Sequence, residues 1–552
     1  MTACALLNGR FCTLDRERPS ATALAVSDGR VVAVGDDDAV RAAAEDLSQP
    51  GAPVAECDLG GRLVIPGLID AHVHFSEYAI GLQSVAAETA TLDECLARVA
   101  ARAAATPKGE WVTGQGWNQN PWGRYPTAAD LDRVAADHPV YLESKSWHAG
   151  WVNSLALRLA GIDETTPDPP GGQIQRDAAG RPTGVLLEDA ASGLVKRAMP
   201  ELSTAALAAL LRPAVASCWR VGLTGVHDFD GERAREAMEM LRGQDEPGLR
   251  FVSAVLAEEL EAALAQGLHG DDGDDWLRTG AVKVMIDGAL SQATAWMWAP
   301  YEGLPEQLGM ALIAPDDLFA LGTRARAGGF AMAVHAIGDR ANHEVLEVFA
   351  RLRADEAAEA GVTAREAGAP AHAARLRHRV EHVQLLAPDD FGRLAQLGVI
   401  ASMQPVHAPS DMPTAERLWG ARCAGAYAWR TQLAAGAPVA FGSDAPVEGI
   451  DPFWGIHAAV TRRRAGGAPG VDGWYPEQRL TVEEALRGFT LGAAYAAGME
   501  AEVGSLACGK LADLVVLDRD IFSVEPMAIR DTVVLGTMVG GRWRYRAPEL
   551  AS

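Results

Sequence analysis

The chain has 552 residues, of which 49 are Lys or Arg and 73 are Asp or Glu, so its formal net charge is −24. This length predicts more than one domain, or one large domain with additions. The balance of 48% hydrophobic and 22% charged residues is ordinary for a globular protein and argues against extensive disorder. The negative charge disfavours nucleic acid and anionic membranes as the main partners.

The sequence shows no sign of a membrane span, a secretory signal or a disulfide framework. Its apolar stretches fall far short of the ~20 residues that cross a bilayer. The segment from Met1 to Asp15 lacks the basic start and apolar block of a secretory signal. The seven cysteines are scattered, without CxxC spacing. We therefore expect a cytoplasmic protein.

Both ends of the chain are predicted to be rich in β-strands. Short apolar runs, with a hairpin signal at Asp28-Gly29, occupy residues 1–65, and similar runs return after residue 500. Neither end could bury a core alone. We predict that residues 1–65 and 500–552 together form one composite β-sandwich domain.

Between these ends, over residues 66–499, short apolar runs alternate with stretches of helical character. There are eight such runs, and eight strand–helix units make a (β/α)₈ barrel with a parallel sheet. We therefore predict an α/β protein with a TIM barrel. The eight runs are Leu63–Ile69, Leu223–Phe229, Arg250–Val255, Ala281–Ile286, Phe330–His335, Arg379–Gln384, Val399–Met403 and Val439–Phe441.

One connection is too long for a crossover helix with its usual loops, because His74 and Gly222 are separated by 148 positions. It contains turn signals between Pro167 and Gly172, and we predict an inserted subdomain over residues 105–205. The insertion follows the first barrel strand, so it should leave the barrel on the catalytic face.

The insertion also carries five of the 14 tryptophans of the chain. Aromatic side chains above a catalytic mouth can line an apolar pocket. We therefore predict that Trp117, Trp122 and the nearby His148 bind the substrate. The alternative is that the tryptophans form the core of the insertion and that His148 is structural.

Four histidines and one aspartate stand at the predicted ends of barrel strands. Side chains along a strand point alternately to its two faces, and His72 and His74 are two positions apart, so both point to the same face. His335, His382 and Asp444 end the fifth, sixth and eighth strands. Side chains at these ends converge at one barrel mouth, where enzymes of this fold place their catalytic residues. A His-x-His pair alone is a weak signal, but the whole set predicts a metal site.

Lys283 lies inside the fourth predicted strand. A charged lysine is costly in an apolar strand, and burial favours its neutral amine. A neutral amine can react with carbon dioxide to give a carbamate, whose two oxygens can bridge two cations. The alternatives are an ion pair with Asp287 and extension of the side chain to water.

These motifs resemble those of the amidohydrolase superfamily, in particular its amidohydrolase-3 branch of YtcJ-like and N-substituted formamide deformylase-like proteins. The resemblance covers nearly the whole chain. It rests on Val64–His74, on Val282-Lys283 with Asp287-Gly288, on His335–Asp339, on Glu381-His382, on Gly442–Pro446, and on Gly504–Leu506 with Gly509–Leu514.

The resemblance implies a metal-dependent hydrolase that cleaves a non-peptide C–N bond, such as that of an N-acyl or N-formyl amine. It implies one or two divalent cations, most simply zinc, held by His72, His74, Lys283, His335, His382 and Asp444. Such a cation lowers the pKa of a bound water from ~15.7 towards ~7, and the hydroxide formed attacks the carbonyl carbon. Asp444 then acts as general base and later as general acid.

Other functions remain open at this point. Ester hydrolysis or decarboxylation could use the same site, and a non-catalytic, metal-holding regulatory protein is a third hypothesis. The proton-transfer residue Asp444 argues against the third. The sequence names neither the substrate nor the native metal, and the resemblance allows a homodimer.

Several polar residues near the motifs carry weaker expectations. Asp70 and Asp339 either orient the imidazoles or cap the backbone. His227 is expected to be structural or to line the pocket. His407 is one of seven other histidines that belong to no recognisable group of site residues, and we expect it to be an ordinary core or surface residue.

Overall fold

The computed structural model describes residues 3–47, 54–144, 149–170, 172–200, 202–244, 248–291, 293–359 and 376–550. The chain forms two compact units, one made of Met1–Tyr78 with Leu211–Ser552 and the other of Ala79–Leu210. Among the described helices, none combines the length and apolar character that crossing a membrane would require.

The first unit contains an eight-stranded parallel sheet whose strands follow one another in chain order. Each strand is short, largely apolar and buried, as expected where helices cover a parallel sheet. The predicted fold class, a barrel with a composite sandwich and a large insertion, is confirmed. The barrel strands are Leu68–Val73, Leu223–Asp228, Arg250–Leu256, Leu277–Met285, Met332–Ala336, Arg379–His382, Ile400–Met403 and Val439–Phe441.

Backbone contacts beyond the end of the eighth strand bring the first and last strands together. The Asp444 amide donates to the His72 carbonyl at 2.8 Å, and the His74 amide donates to the Ala445 carbonyl at 2.9 Å. The chains approach so closely that a Cβ atom at Gly442 would lie 2.5 Å from the His72 backbone nitrogen. Glycine is therefore required where the two strand ends meet.

Most helices of the first unit follow barrel strands and connect them, whereas the first helix packs against the sandwich. The α-helices of the first unit are Asp37–Leu47, Glu232–Gln244, Leu260–Ala265, Pro315–Ala327, Asp339–Glu359, Arg393–Leu397, His407–Trp419, Trp429–Ala435, Pro452–Thr461, Val482–Arg487 and Ala493–Ala496. Two further helices, Phe75–Gly81 and Thr204–Arg220, contain the boundaries between the units.

The β-sandwich draws its strands from both ends of the chain. One sheet has the order Arg30–Gly35, Ala23–Ser27, Cys4–Leu7, Ala55–Asp58. The other has the order Arg542–Arg546, Val534–Val539, Leu514–Leu517, Leu63–Pro66, Arg10–Cys12, Ser20–Ala21. Apolar side chains from both ends of the chain, including Leu24, Leu514 and Met538, share one buried cluster between the sheets.

One predicted strand is wrong, because the run Leu63–Ile69 is two strands. Leu63–Pro66 pairs with Leu514–Leu517 in the sandwich, whereas Leu68–Val73 pairs with Leu223–Asp228 in the barrel. The break falls at Gly67, whose amide donates to the Asp513 carbonyl at 2.9 Å. The apolar pattern runs through the break because both halves are buried.

The second unit has its own six-stranded sheet and helices, and it contains the predicted insertion. The strand order is Gln173–Arg176, Pro182–Leu187, Ala149–Val152, Val140–Ser144, Val112–Trp117, Val85–Ala86. Its helices are Leu92–Ala105, Gln119–Trp122, Ala128–Ala135, Ser154–Leu159 and Glu188–Lys196.

Candidate metal centre

Three predicted ligands meet where the first and eighth barrel strands come together. The Nε2 atoms of His72 and His74 lie 3.4 and 3.7 Å from the same carboxylate oxygen, Oδ1 of Asp444. Potential ligand atoms of these three residues all fall within 4.8 Å of one another. The cluster has the spacing and the donor types that a divalent cation requires.

His72 offers the clearest sign that this cluster fits a metal. Its side chain is completely buried, and its Nε2 atom has no hydrogen-bond partner among the described residues. A buried polar atom without a partner is costly unless something absent from the protein chain satisfies it. A metal ion is such a group, since imidazole nitrogen is a preferred zinc ligand.

Two carboxylates determine which nitrogen of each imidazole faces the cluster. His72 Nδ1 donates to Glu381 Oε2 at 2.6 Å, and His74 Nδ1 donates to Asp230 Oδ1 at 2.8 Å. Each histidine therefore donates from Nδ1 and turns its Nε2 atom towards the cluster. This is the arrangement in which an outer carboxylate orients a metal-binding histidine.

His335 and His382 extend the centre along the neighbouring strands. The His382 ring lies 4.8 Å from the His72 ring and 4.6 Å from the His335 ring, measured between centroids. His382 Nδ1 lies 2.8 Å from Gln404 Oε1, and His335 Nε2 donates to the Gly288 carbonyl at 3.1 Å. The structure thus brings all four predicted histidines together.

The backbone is strained at two of these residues. His382 has φ of 73° and Asp444 has φ of 61°, in the left-handed region that few non-glycine residues occupy. Such conformations cost on the order of 1–3 kcal/mol and persist where the surrounding structure enforces them. Their occurrence at two candidate ligands matches a functional site.

Burial favours the neutral, metal-binding form of three of the imidazoles, whereas at His74 the Asp230 carboxylate outweighs burial and raises the pKa. Burial lowers the pKa of His72 to about 4 and that of His335 to about 3, with the nearby Lys283 ammonium adding to both shifts. Burial likewise holds the pKa of His382 well below its ordinary value. A neutral imidazole keeps the lone pair that a metal needs.

Lys283 is buried beside the histidines, at 7% exposure. Its Nζ atom lies 4.6 Å from the centre of the Phe229 ring, and that ring packs 4.4 Å from the His72 ring. Burial is the main cause that lowers its pKa. A lowered pKa favours the neutral amine, which is the form that reacts with carbon dioxide to give a carbamate.

Neither alternative for Lys283 agrees with the structure. Asp287 accepts hydrogen bonds from the backbone amides of Trp296, Ile337 and Gly338 at 2.8–3.1 Å. Within the described part of the chain, Lys283 forms no ion pair with Asp287. At 7% exposure, little of its side chain can extend to water.

His407 belongs to the site, so the expectation that it is an ordinary residue is wrong. It follows the seventh strand, and its Nε2 atom lies 3.3 Å from Asp444 Oδ2. Asp411 approaches its other nitrogen at 3.9 Å and accepts a hydrogen bond from the Tyr427 hydroxyl at 2.6 Å. A chain of polar groups therefore leads from Asp444 into the barrel wall.

Electrostatics couple Asp444 to His407. Burial alone would raise the pKa of Asp444, but His407 and the other imidazoles outweigh it and hold that pKa well below its ordinary value. Burial would lower the pKa of His407, yet the Asp444 carboxylate raises it to about 9. The pair is therefore a carboxylate beside an imidazolium.

Asp70 and Asp339 cap the backbone, and neither bonds an imidazole in the part of the chain that the structure describes. Asp70 accepts from the backbone amides of His72 and Ser443, both at 3.0 Å. Asp339 accepts from the Trp298 amide at 3.0 Å. Of the two alternatives, the structure supports backbone capping, and Asp70 thereby fixes the first and eighth strand ends against each other.

The predicted substrate-binding tryptophans form a cluster inside the second unit. Trp117 is 1% exposed, and its ring lies 6.4 Å from that of Trp122 and 6.2 Å from that of Trp151. The indole N–H of Trp117 donates to the Leu142 carbonyl at 2.9 Å. His148 lies outside the described residues. Substrate binding by these three residues stays a prediction.

Several partners of the ligands received no role from the sequence: Glu381, Asp230, Gln404, Arg379 and His407. Gln404 and His407 follow the seventh strand, and Asp230 follows the second, so the strand-end rule that found the ligands could have found these too. Glu381 precedes His382 in a quoted motif, but its partner His72 lies 309 positions away. A contact between residues so far apart in the sequence leaves no local pattern.

Comparisons with known proteins agree with this centre. A sequence profile described as the amidohydrolase family matches residues 55–545. YtcJ of Bacillus subtilis (strain 168) is 32% identical over 557 residues, covering 98% of this chain and 99% of the relative. The N-substituted formamide deformylase of Arthrobacter pascens is 32% identical over 560 residues, covering 98% of each chain.

A solved structure shares the fold along nearly the whole chain. It is described as an uncharacterized metal-dependent hydrolase from Pyrococcus horikoshii OT3. The TM-score is 0.78 at 25% sequence identity, and the match covers 95% of this chain and 99% of that one. The resemblance inferred from the motifs is confirmed, and these relatives support a hydrolase.

Proposed function

The chain belongs to the amidohydrolase family, and we propose that it hydrolyses a non-peptide C–N bond of a small molecule in a metal-dependent reaction. The observation that carries this proposal is the buried, unpartnered Nε2 of His72, beside His74 and the Asp444 carboxylate. The oriented imidazoles and the strained ligand backbone support the same function.

Six residues would hold the metal: His72, His74, Lys283, His335, His382 and Asp444. Lys283 would do so as a carbamate, which would offer two oxygen ligands. We propose zinc as the cation, one or two ions per chain, because imidazole and carboxylate ligands suit it. When bound, zinc supplies an activated water and polarises a carbonyl group.

Asp444 is the residue that moves the proton. Its Oδ1 lies on the cluster, so this oxygen accepts the proton of the attacking water and then donates it to the leaving nitrogen. Its Oδ2 is held by His407, 3.3 Å away, whose positive charge keeps the carboxylate ionised before the reaction. His407 thus orients the carboxylate towards the reacting atoms.

The substrate class is an amide of an amine, such as an N-formyl or N-acyl amine. The name of the relative from Arthrobacter pascens, N-substituted formamide deformylase, supports this class. Ester hydrolysis or decarboxylation on the same centre remains the alternative reaction. A metal-holding protein without catalysis is disfavoured by Asp444, since binding alone needs no carboxylate that is paired with an imidazolium.

The test is a substrate panel of N-formyl amines, N-acetyl amines and matching esters, run with the wild-type protein and Asp444→Asn. Asn cannot accept the proton, so we expect turnover of at least one amide to fall by about 10²–10⁴-fold in the variant. Asp451→Asn is the matched control, because Asp451 caps a helix through the Phe453 amide. Equal turnover in wild type and Asp444→Asn would contradict the mechanism.

A further inference from the structure

Arg379 lies at the start of the sixth barrel strand, 3% exposed, with its guanidinium inside the barrel. Its Nε donates to Glu381 Oε1, and its Nη2 donates to Glu381 Oε2 at 3.0 Å. Nη2 also donates to the Ala71 carbonyl and to Ser402 Oγ, each at 2.6 Å, and Nη1 donates to His227 Nδ1 at 3.0 Å. The guanidinium is therefore fixed by four different residues on four strands.

The same Glu381 carboxylate orients His72. Glu381 Oε2 accepts both from Arg379 Nη2 and from His72 Nδ1, the latter at 2.6 Å. Arg379 and Glu381 are two positions apart on one strand, so their side chains share a face and form successive layers of the barrel interior. Arg379 thus lies one layer below the Glu381 carboxylate, and that carboxylate contacts the predicted ligand His72.

We propose that Arg379 is a positioning residue for the metal centre: it fixes the plane of the Glu381 carboxylate and thereby directs His72 Nε2 at the cation. This inference rests on the proposed function. The two-pronged contact is the reason for arginine, since its planar fork matches both oxygens of a carboxylate. Without it, His72 is the one hydrogen-bond partner that the described residues leave to the completely buried Glu381 carboxylate, which can then rotate.

A purely structural role is the competing explanation, because any buried arginine contributes to stability. Arg250 offers a matched control. It is 4% exposed at the start of the third barrel strand, and it makes an equivalent two-pronged contact with Asp513, at 2.7 and 2.9 Å. Asp513 is not part of the metal centre, so the two arginines differ in what they position.

The experiment measures the Zn²⁺ affinity of the full-length chain by competition with a chromogenic chelator, without any substrate. Loss of an outer partner typically weakens metal binding by about 10–100-fold, and we expect this for Arg379→Ala. Arg379→Lys should weaken Zn²⁺ binding less, since the lysine ammonium keeps the positive charge but cannot make the two-pronged contact with Glu381. Arg250→Ala should lower the thermal midpoint and leave Zn²⁺ affinity unchanged.

Chemical rescue separates positioning from folding. Arg379 lines a cavity of about 190 Å³ together with His227 and Phe229, so a small cation can reach the vacated space. Millimolar guanidinium should therefore restore part of the Zn²⁺ affinity of Arg379→Ala and none of the stability of Arg250→Ala. If Arg379→Ala does not fold, the visible spectrum of Co²⁺-loaded Arg379→Lys replaces it, and we expect a shifted ligand-field band.

Three results would overturn the proposal: wild-type affinity in folded Arg379→Ala, an equal loss in Arg250→Ala, or an unshifted Co²⁺ spectrum in Arg379→Lys. These results leave the proposed function intact. A wild-type chain that binds no Zn²⁺ would contradict both the role of Arg379 and the proposed function.

Discussion

Two carboxylates hold two histidines at the centre, and each carboxylate reaches its histidine from a different barrel strand or loop. Glu381 holds His72 across 309 positions, and Asp230 holds His74 across 156. The ligands therefore come from strand ends, but their orientation depends on contacts between strands. At the residue scale, the site therefore needs two kinds of residue, those that bind the metal and those that orient the binding residues.

This division explains which site residues the sequence could predict. All the predicted ligands except Lys283 occupy one kind of position, the end of a barrel strand, and that position is visible in the alternation of apolar runs. Glu381 and Arg379 act through partners that no local pattern reveals. His407 escaped because it follows its strand by four residues and has no second histidine beside it.

Lys283 gives the first prediction at this scale. Lys283→Ala removes the proposed carbamate, so the variant should lose at least one metal ion per chain and most of its activity. Short carboxylic acids should restore part of both, because they supply the missing oxygens. Elemental analysis and the amide panel measure these quantities.

Two outcomes would count against the carbamate. One is unchanged metal content in Lys283→Ala. The other is electron density for an unmodified lysine in a metal-loaded crystal.

At the scale of elements, helix caps and buried clusters decide local stability. The helix Pro452–Thr461 begins just after Asp451, whose side chain accepts from the Phe453 amide. Burial raises the pKa of this carboxyl to about 6. The folded state therefore favours the protonated acid. The contribution of Asp451 to the free energy of unfolding is fully present below the pKa of the unfolded chain, and it is lost as pH rises through about 6.

The second prediction follows from this cap. Asn keeps the capping oxygen and cannot ionise, so Asp451→Asn should gain stability relative to wild type as pH rises from 4 to 7. The gain should approach roughly 3 kcal/mol, on the scale of 1.36 kcal/mol per pKa unit. Thermal midpoints of both proteins across this range test it, and a pH-independent difference between them would refute it.

The tryptophan cluster of the second unit gives the third prediction. Trp117 is buried against Trp122 and Trp151, and its indole N–H is satisfied by a backbone carbonyl. Trp117→Ala should therefore destabilise this unit by ~3–5 kcal/mol, the usual cost of removing a buried aromatic ring. Limited proteolysis should cut within residues 79–210 at lower temperature than in wild type. Resistance equal to that of wild type would show that the ring is not part of a core.

At the scale of the whole molecule, the barrel and the sandwich of the first unit are joined by a buried ion pair. Arg250 of the third barrel strand contacts Asp513, which precedes the sandwich strand Leu514–Leu517, and both side chains are almost fully buried. The Arg250 guanidinium also packs 4.5 Å from the Trp276 ring. A pair this deeply buried is costly to break, because the remaining charge loses its counter-charge.

The fourth prediction concerns this pair. Arg250→Met or Asp513→Leu alone should cost ~3–5 kcal/mol, whereas the double variant should cost less than the sum, since no lone charge remains. Shifts of the thermal midpoint measure the difference. Strictly additive shifts would mean that the two charges act independently.

The architecture itself was largely readable in the sequence, for a physical reason. A parallel barrel strand is buried on both faces, so eight apolar runs separated by helical stretches leave a strong pattern. The same burial concealed the break at Gly67, where one apolar run serves two different sheets. Side-chain partners across the barrel depend on closure of the sheet, which periodicity does not encode.

The central claim is that the cluster of His72, His74 and Asp444 holds a metal on which activity depends. The most direct measurement is the metal content and amide turnover of the wild-type chain before chelation, after chelation and after Zn²⁺ is returned. We expect one or two ions per chain, loss of turnover with the metal and recovery with Zn²⁺. Full turnover in thoroughly metal-free protein would contradict the account.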